Sequence, residues 1–149
     1  MRKLITFLLC IFSFLQIYSQ AYDSILAKKW GADEYGMKKY VIAFLKTGLA
    51  QIIDKDERSK LFQGHFQNMN RLAQEGKLAI AGPFETNDFY RGIFILNTPS
   101  IDTAKAWTNM DPTIQAGVFE VLLLPWYGSA ALMSVNETHT IIQRKKIVE

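Results

Sequence analysis

Apolar and polar residues alternate in two rhythms along this chain, and each change of rhythm marks an element. The stretch "KKYVIAFLKTG" is rich in β-branched and aromatic residues and stops at Gly48, which predicts a strand. "LFQGHFQNMNRLAQEGKL", Leu61 to Leu78, keeps helical spacing. At about 100° per residue, Phe62, Phe66, Met69, Leu72 and Ala73 share one arc, while Gln63, Gln67, Asn70 and Gln74 face outward. The charged "IIDKDERSK" leads into this helix. "KLAIAGPF", ended by Gly82-Pro83, and "YRGIFILN" predict a second and a third strand. "TPSIDTAKAWTNM" predicts a second helix, with Ser100 as N-cap and Ile101, Ala104 and Trp107 at helical spacing. "GVFEVLLLPW" predicts a fourth strand ending near Pro125. The order is β-α-β-β-α-β, an α+β, ferredoxin-like arrangement with both helices on one face of the sheet. Before it, "YDSILAKKWGADEYGM" predicts one or two helical turns ahead of Gly31. After it, "VNETHTIIQRKKIVE" reads as a tail with no assigned structure.

The strands are apolar on both faces. In "YVIAFL", Tyr40, Ile42 and Phe44 point one way and Val41, Ala43 and Leu45 the other, and "IFIL" and "VLLL" behave alike. Such a sheet needs cover on both faces, and two helices cover one. A second copy of the chain is the simplest cover for the other, so a homodimer is expected.

The first residues change the accounting. "MRKLITFLLCIFSFLQIYSQA" has a basic start at Arg2 and Lys3, an apolar run from Leu4 to Ile17, and a small residue, Ser19, at its close. That is the order of a secretory signal peptide. The run is shorter than the roughly 18–20 apolar residues of a membrane span, and Ser13 and Gln16 interrupt it, which favours cleavage over an anchor. Lipid attachment at Cys10 is disfavoured by Leu9, which stands where a small residue is needed. The expected divisions are a signal peptide at 1–19, a leader segment at 20–37, the main domain at 38–127 and a tail at 128–149. The expected product is secreted or periplasmic, with no membrane attachment after cleavage.

Losing 19 of 149 residues leaves 130, enough for one domain with a core. The single cysteine leaves too, so no disulfide can staple the product. Lys+Arg falls from 17 to 15 against 14 acids, a formal +1. The whole-chain pI near 9.0 therefore overstates how basic the product is. The one concentrated basic run, Arg144–Lys146, lies in the tail, and no basic face with interleaved aromatics points to nucleic acid.

His65 falls inside the apolar arc of the first helix, between Leu72 and Met69. One reading is a core histidine whose nitrogens meet a carbonyl or a hydroxyl. The other begins at "NMDPTIQAG", where Asp111 caps a turn and Pro112 takes its first position. An Asp held in this way could accept a hydrogen bond from one His65 nitrogen, fix the tautomer and leave the other nitrogen as a general base. Pro83 and Phe84 are candidates for a pocket wall, Arg91 for holding an anionic substrate, and Trp126 with Tyr127 for lining a cleft. Each also has a plain structural reading, as a turn, a solvated edge residue or packed aromatics. His139 is expected in solvent. Two distant histidines and no cysteine in the product make no metal site, and no glycine-rich phosphate loop or serine nucleophile elbow is present. "NET" at Asn136 matches a glycosylation acceptor, a pattern common by chance.

The segments "GHFQNMNRLAQEGKLAIAGPF", "RGIFIL" and "AKAWTNMDPTIQAGVFEVLLLPW" together resemble the YCII-related family of the dimeric α+β barrel superfamily, over Lys38–Trp126. The resemblance implies a ferredoxin-like protomer, a barrel dimer, and a site built on a His and an Asp that match His65 and Asp111. The function expected is cofactor-free acid-base chemistry on a small organic molecule, an elimination, an isomerisation or a hydrolysis. The rival is a ligand-binding or sensing module using the same pocket. A haem-binding or monooxygenase-like barrel, with His65 as axial ligand, rests on fold analogy alone.

Overall fold

In the computed structural model, residues 21–85 and 88–145 are described; the expected signal peptide lies outside them. The elements are α1 (Ser24–Trp30), β1 (Met37–Thr47), α2 (Lys55–Gln74), β2 (Leu78–Pro83), β3 (Tyr90–Leu96), α3 (Ile101–Thr108), a single turn α4 (Pro112–Gln115) and β4 (Phe119–Ser129). A 3-10 turn (Ala130–Ser134) and α5 (Val135–Ile142) follow. The four strands form one antiparallel sheet in the order β2-β3-β1-β4. The α+β, ferredoxin-like protomer predicted by the hydrophobic rhythm is the fold observed.

Three boundaries differ from the sequence expectation. Helix α2 begins at Lys55, because Asp54 accepts from Glu57 N at 2.8 Å and caps it. The charged run is thus its exposed first turn, and its helical part stops at Gln74, short of Leu78. Strand β4 runs past Pro125 to Ser129. Ala130 N donates to Gly36 O and Gly48 N to Val118 O, which makes the even-numbered residues of β1 the hydrogen-bonded pairs. Pro125 sits opposite Val41, an odd position, so its nitrogen faces away from β1 on the edge of the sheet. No ladder bond is lost.

The main core lies between the sheet and the helices. Val41, Ala43, Leu45, Phe94, Leu96 and Phe119 meet Leu72 of α2 and Ala104 of α3 there. Part of the other face is covered from within the chain. After β4 the chain turns back, and Leu132 and Met133 pack against Tyr40, Ala79 and Ile95. Asn136 of α5 donates to Leu78 O at 2.7 Å, so that side chain is spent inside the fold. The tail covers one end of the face. The rest stays open, with Leu122, Leu124 and Trp126 at 38%, 43% and 36% exposure. No described helix is long and apolar enough to cross a membrane.

Candidate functional site

The site is made where a capped turn meets a histidine of the long helix. Asp111 caps α4, with Oδ1 accepting from Thr113 N at 2.9 Å and Pro112 at the first helical position. The Thr113 hydroxyl donates to the same Oδ1 at 2.6 Å. With Oδ1 occupied twice, Oδ2 is left for His65, whose Nδ1 lies 2.7 Å away. Asp111 and Thr113 are fully buried and His65 is 7% exposed. The hydrogen-bond reach required of the pair is present.

The turn can approach α2 because of Gly64, the residue before His65. A Cβ at Gly64 would lie 2.8 Å from Pro112 Cγ. The missing side chain is therefore what lets the Asp111–Pro112 turn sit against the helix. Phe66, Phe94, Phe119 and Phe62 surround the imidazole, with ring centroids between 5.4 and 6.1 Å, and Phe94 stacks on it. The packing fixes the ring plane and makes the surroundings apolar.

Burial alone would push the Asp111 carboxyl up. The hydrogen bonds from His65 and Thr113, with the charge of a protonated His65, outweigh it and hold the carboxyl below its ordinary value. An ionised Asp111 can only accept, so Nδ1 of His65 carries the proton. In the neutral ring Nε2 is then the lone-pair nitrogen, and it has no hydrogen-bond partner among the described residues. A base held in one tautomer by a buried anion can take a proton at Nε2, and the anion stabilises the imidazolium that forms.

The other sequence candidates do not join this pair. Trp126 stands opposite Tyr40 in the register and packs on it at 5.8 Å, on the sheet face away from His65. A Cβ at Gly128 would strike the Trp126 ring at 2.2 Å, so the indole lies over that glycine. Tyr127 hydrogen-bonds Asp33. Phe84 packs against Tyr90 at 6.4 Å and is exposed, as is Pro83 at the end of β2. Arg91 is exposed and lies 4.0 Å from Asp88. The pocket wall, anion holder and cleft lining expected of these residues do not converge on His65 within one chain. His139 is in solvent, on α5. No cluster of three or more potential metal ligands occurs among the described residues. Gly64, Thr113 and Asn68, which shares the His65 face of α2, were missed in the sequence. Asn68 could have been found from its place three residues after His65; Gly64 and Thr113 gave no comparable signal.

What fold and site define together is a four-stranded antiparallel α+β domain with a buried imidazole–carboxylate pair between its long helix and a capped turn. The chain belongs to the YCII-related family: the YCII-related domain matches residues 39–126. It is 32% identical over 73 residues to Protein YciI of Escherichia coli, covering 44% of this chain and 74% of that protein, and equally to Protein YciI of Shigella flexneri. Among solved structures it is similar to 5-chloro-2-hydroxyhydroquinone dehydrochlorinase from Burkholderia phenoliruptrix in complex with 2,5-dihydroxybenzoquinone. That match has 18% identity and a TM-score of 0.42, and covers 58% of this chain and 92% of that one.

Two outcomes follow from the geometry. Alanine in a helix interior is ordinarily favoured over glycine by about 1 kcal/mol. At Gly64 the sign should reverse, and Gly64→Ala should lower stability by about 1–3 kcal/mol in urea unfolding, because Pro112 cannot retreat without carrying Asp111 with it. The second outcome concerns acid. A carboxyl depressed below 3.8 in the folded state contributes stability that is fully present above that value. It is lost as pH falls from 3.8 through the folded value, where the unfolded chain binds the extra proton. Urea midpoints measured downward from pH 5 should show this loss, and Asp111→Asn should make the profile flatter.

Proposed function

We propose that this protein is a small-molecule enzyme working by cofactor-free acid-base chemistry, with His65 moving the proton and Asp111 positioning it. The observation that carries the reading is the 2.7 Å bond between His65 Nδ1 and an Asp111 carboxylate whose other oxygen is already held by Thr113. A histidine serving only as packing would not need a buried anion fixed so closely to one nitrogen. Nε2 removes a proton from the substrate and returns it at a second position or to a leaving group. Elimination, isomerisation and hydrolysis all use that step. Asp111 stays ionised throughout and holds the ring in the tautomer that leaves Nε2 free to take the proton.

Two further parts of the reading concern the setting. The open part of the sheet face, lined by Ile42, Phe44, Leu122, Leu124 and Trp126, supports pairing of two copies face to face. Apolar patches of this kind are uncommon on monomers. The basic, apolar and small-residue order of the first 19 residues supports export with cleavage after Ser19.

Metabolite screening with the purified protein, followed by mutagenesis, tests the chemistry. His65→Gln should fold and lose at least about a hundredfold in turnover, the lower end of what a positioned acid-base group contributes. Asp111→Asn, still a good cap, should impair turnover as well, because an amide cannot stabilise an imidazolium. Tight binding of a metabolite without turnover by the wild type would instead make the chain a binding module. An Asp111→Asn enzyme of full activity would return the pair to packing.

Protein isolated from the native host should begin at Gln20 and scatter light as twice its chain mass. A start at Met1 would sink export with cleavage, and a stable monomer would show that the open face needs no second copy.

A further inference from the structure

One turn beyond His65 on α2, Asn68 is 7% exposed. Its Oδ1 accepts from Arg71 Nη2 at 2.8 Å, and its Nδ2 is enclosed without a hydrogen-bond partner. Turning the amide over would not cure this, since a donor would then face the guanidinium and the oxygen would lose its partner. Arg71 is itself fixed by Glu75, at 3.0 and 3.2 Å, and touches Met110 Sδ at 3.5 Å. Buried side-chain donors are nearly always paired. Here one is left unpaired and held still.

Its place on the helix gives the open donor a meaning. Side chains three residues apart share a helix face and lean toward the N-terminus, so the Asn68 amide leans toward the turn that carries His65. His65 bonds Asp111, and Arg71, which holds Asn68, touches the adjacent Met110. The base and the open donor therefore lie along the same segment.

We propose that Asn68 is a ligand-binding residue, its Nδ2 donating to a carbonyl, enolate or phenolate oxygen of the small molecule from which His65 takes a proton. The proposal rests on the acid-base reading of His65. When Nε2 removes the proton from a C–H or O–H bond, the electron pair of that bond stays on the substrate. Its charge settles on the oxygen that Asn68 holds, and a donor already in place stabilises it without rearrangement. The four phenylalanines around His65 suit an aromatic or enolic ring. Met110, 53% exposed and unbranched, touches the Arg71 that holds Asn68, and its displacement would admit the ring.

The test uses 4-nitrophenolate as a one-ring oxyanion probe, followed by NMR of the Asn68 side-chain amide and the His65 ring. Binding should shift the Asn68 amide signals in the wild-type protein. Asn68→Asp keeps a partner for Arg71 and so folds, but turns a carboxylate toward the anion; it should weaken binding at least about tenfold. Asn68→Leu removes the unpaired donor and should melt no lower than the wild type while also binding weakly. Asn68 signals that stay put at saturating probe overturn the proposal, and so does unchanged affinity in Asn68→Asp. If the His65 ring responds alone, Asn68 loses its role while the acid-base reading stands, since that reading is judged by turnover in His65→Gln.

Discussion

A fully buried carboxylate has to be neutralised or solvated by the protein itself, and that requirement at Asp111 organises the surroundings. Removing an ion from water is expensive unless charge-assisted hydrogen bonds replace the lost hydration. Asp111 takes a backbone N–H and a hydroxyl from Thr113 on one oxygen and the imidazole of His65 on the other. Each partner is supplied by a different constraint. Pro112 starts the turn that aims the Thr113 N–H. Gly64 thins the helix so that the turn can reach it. The phenylalanines hold the imidazole in plane. Loss of any one leaves the anion short of a partner, so the pieces stand or fall together.

Much of this was legible in the sequence, and the legible parts were local. The alternation in β1, the helical arc of α2, the Ser100 cap and the Asp111-Pro112 start are all set by neighbours within a few residues. The family resemblance then joined His65 to Asp111 across 46 positions, which neither periodicity nor spacing could do. What stayed hidden depends on contacts between distant segments. Gly64 looks like an ordinary weak point in a helix until Pro112 is seen against it. Thr113 looks like any turn residue. Trp126 reads as a cleft residue because it is aromatic and ends a strand pattern, but the pleat sends it to the face opposite His65.

The second face of the sheet divides between two kinds of cover. At one end Leu132 and Met133 close over Tyr40 and Ala79, a return of the chain that the polar tail sequence did not announce. Leu132 and Met133 are the side chains of that segment packed on this cluster, too few for a hydrophobic pattern to reveal. Toward β4 the face remains apolar and open. A surface that is partly sealed from within presents a bounded apolar patch.

Pro125 gives the sheet a further property. An exposed strand edge ordinarily offers a row of N–H and C=O groups on which another strand can crystallise, and extension of that kind has no natural end. At the middle of β4 the outward-facing N–H is missing, and a pyrrolidine ring stands in its place. A foreign strand laid along this edge would find its ladder broken halfway. Growth by addition of strands is discouraged there, which leaves the apolar face, not the edge, as the surface open to contact.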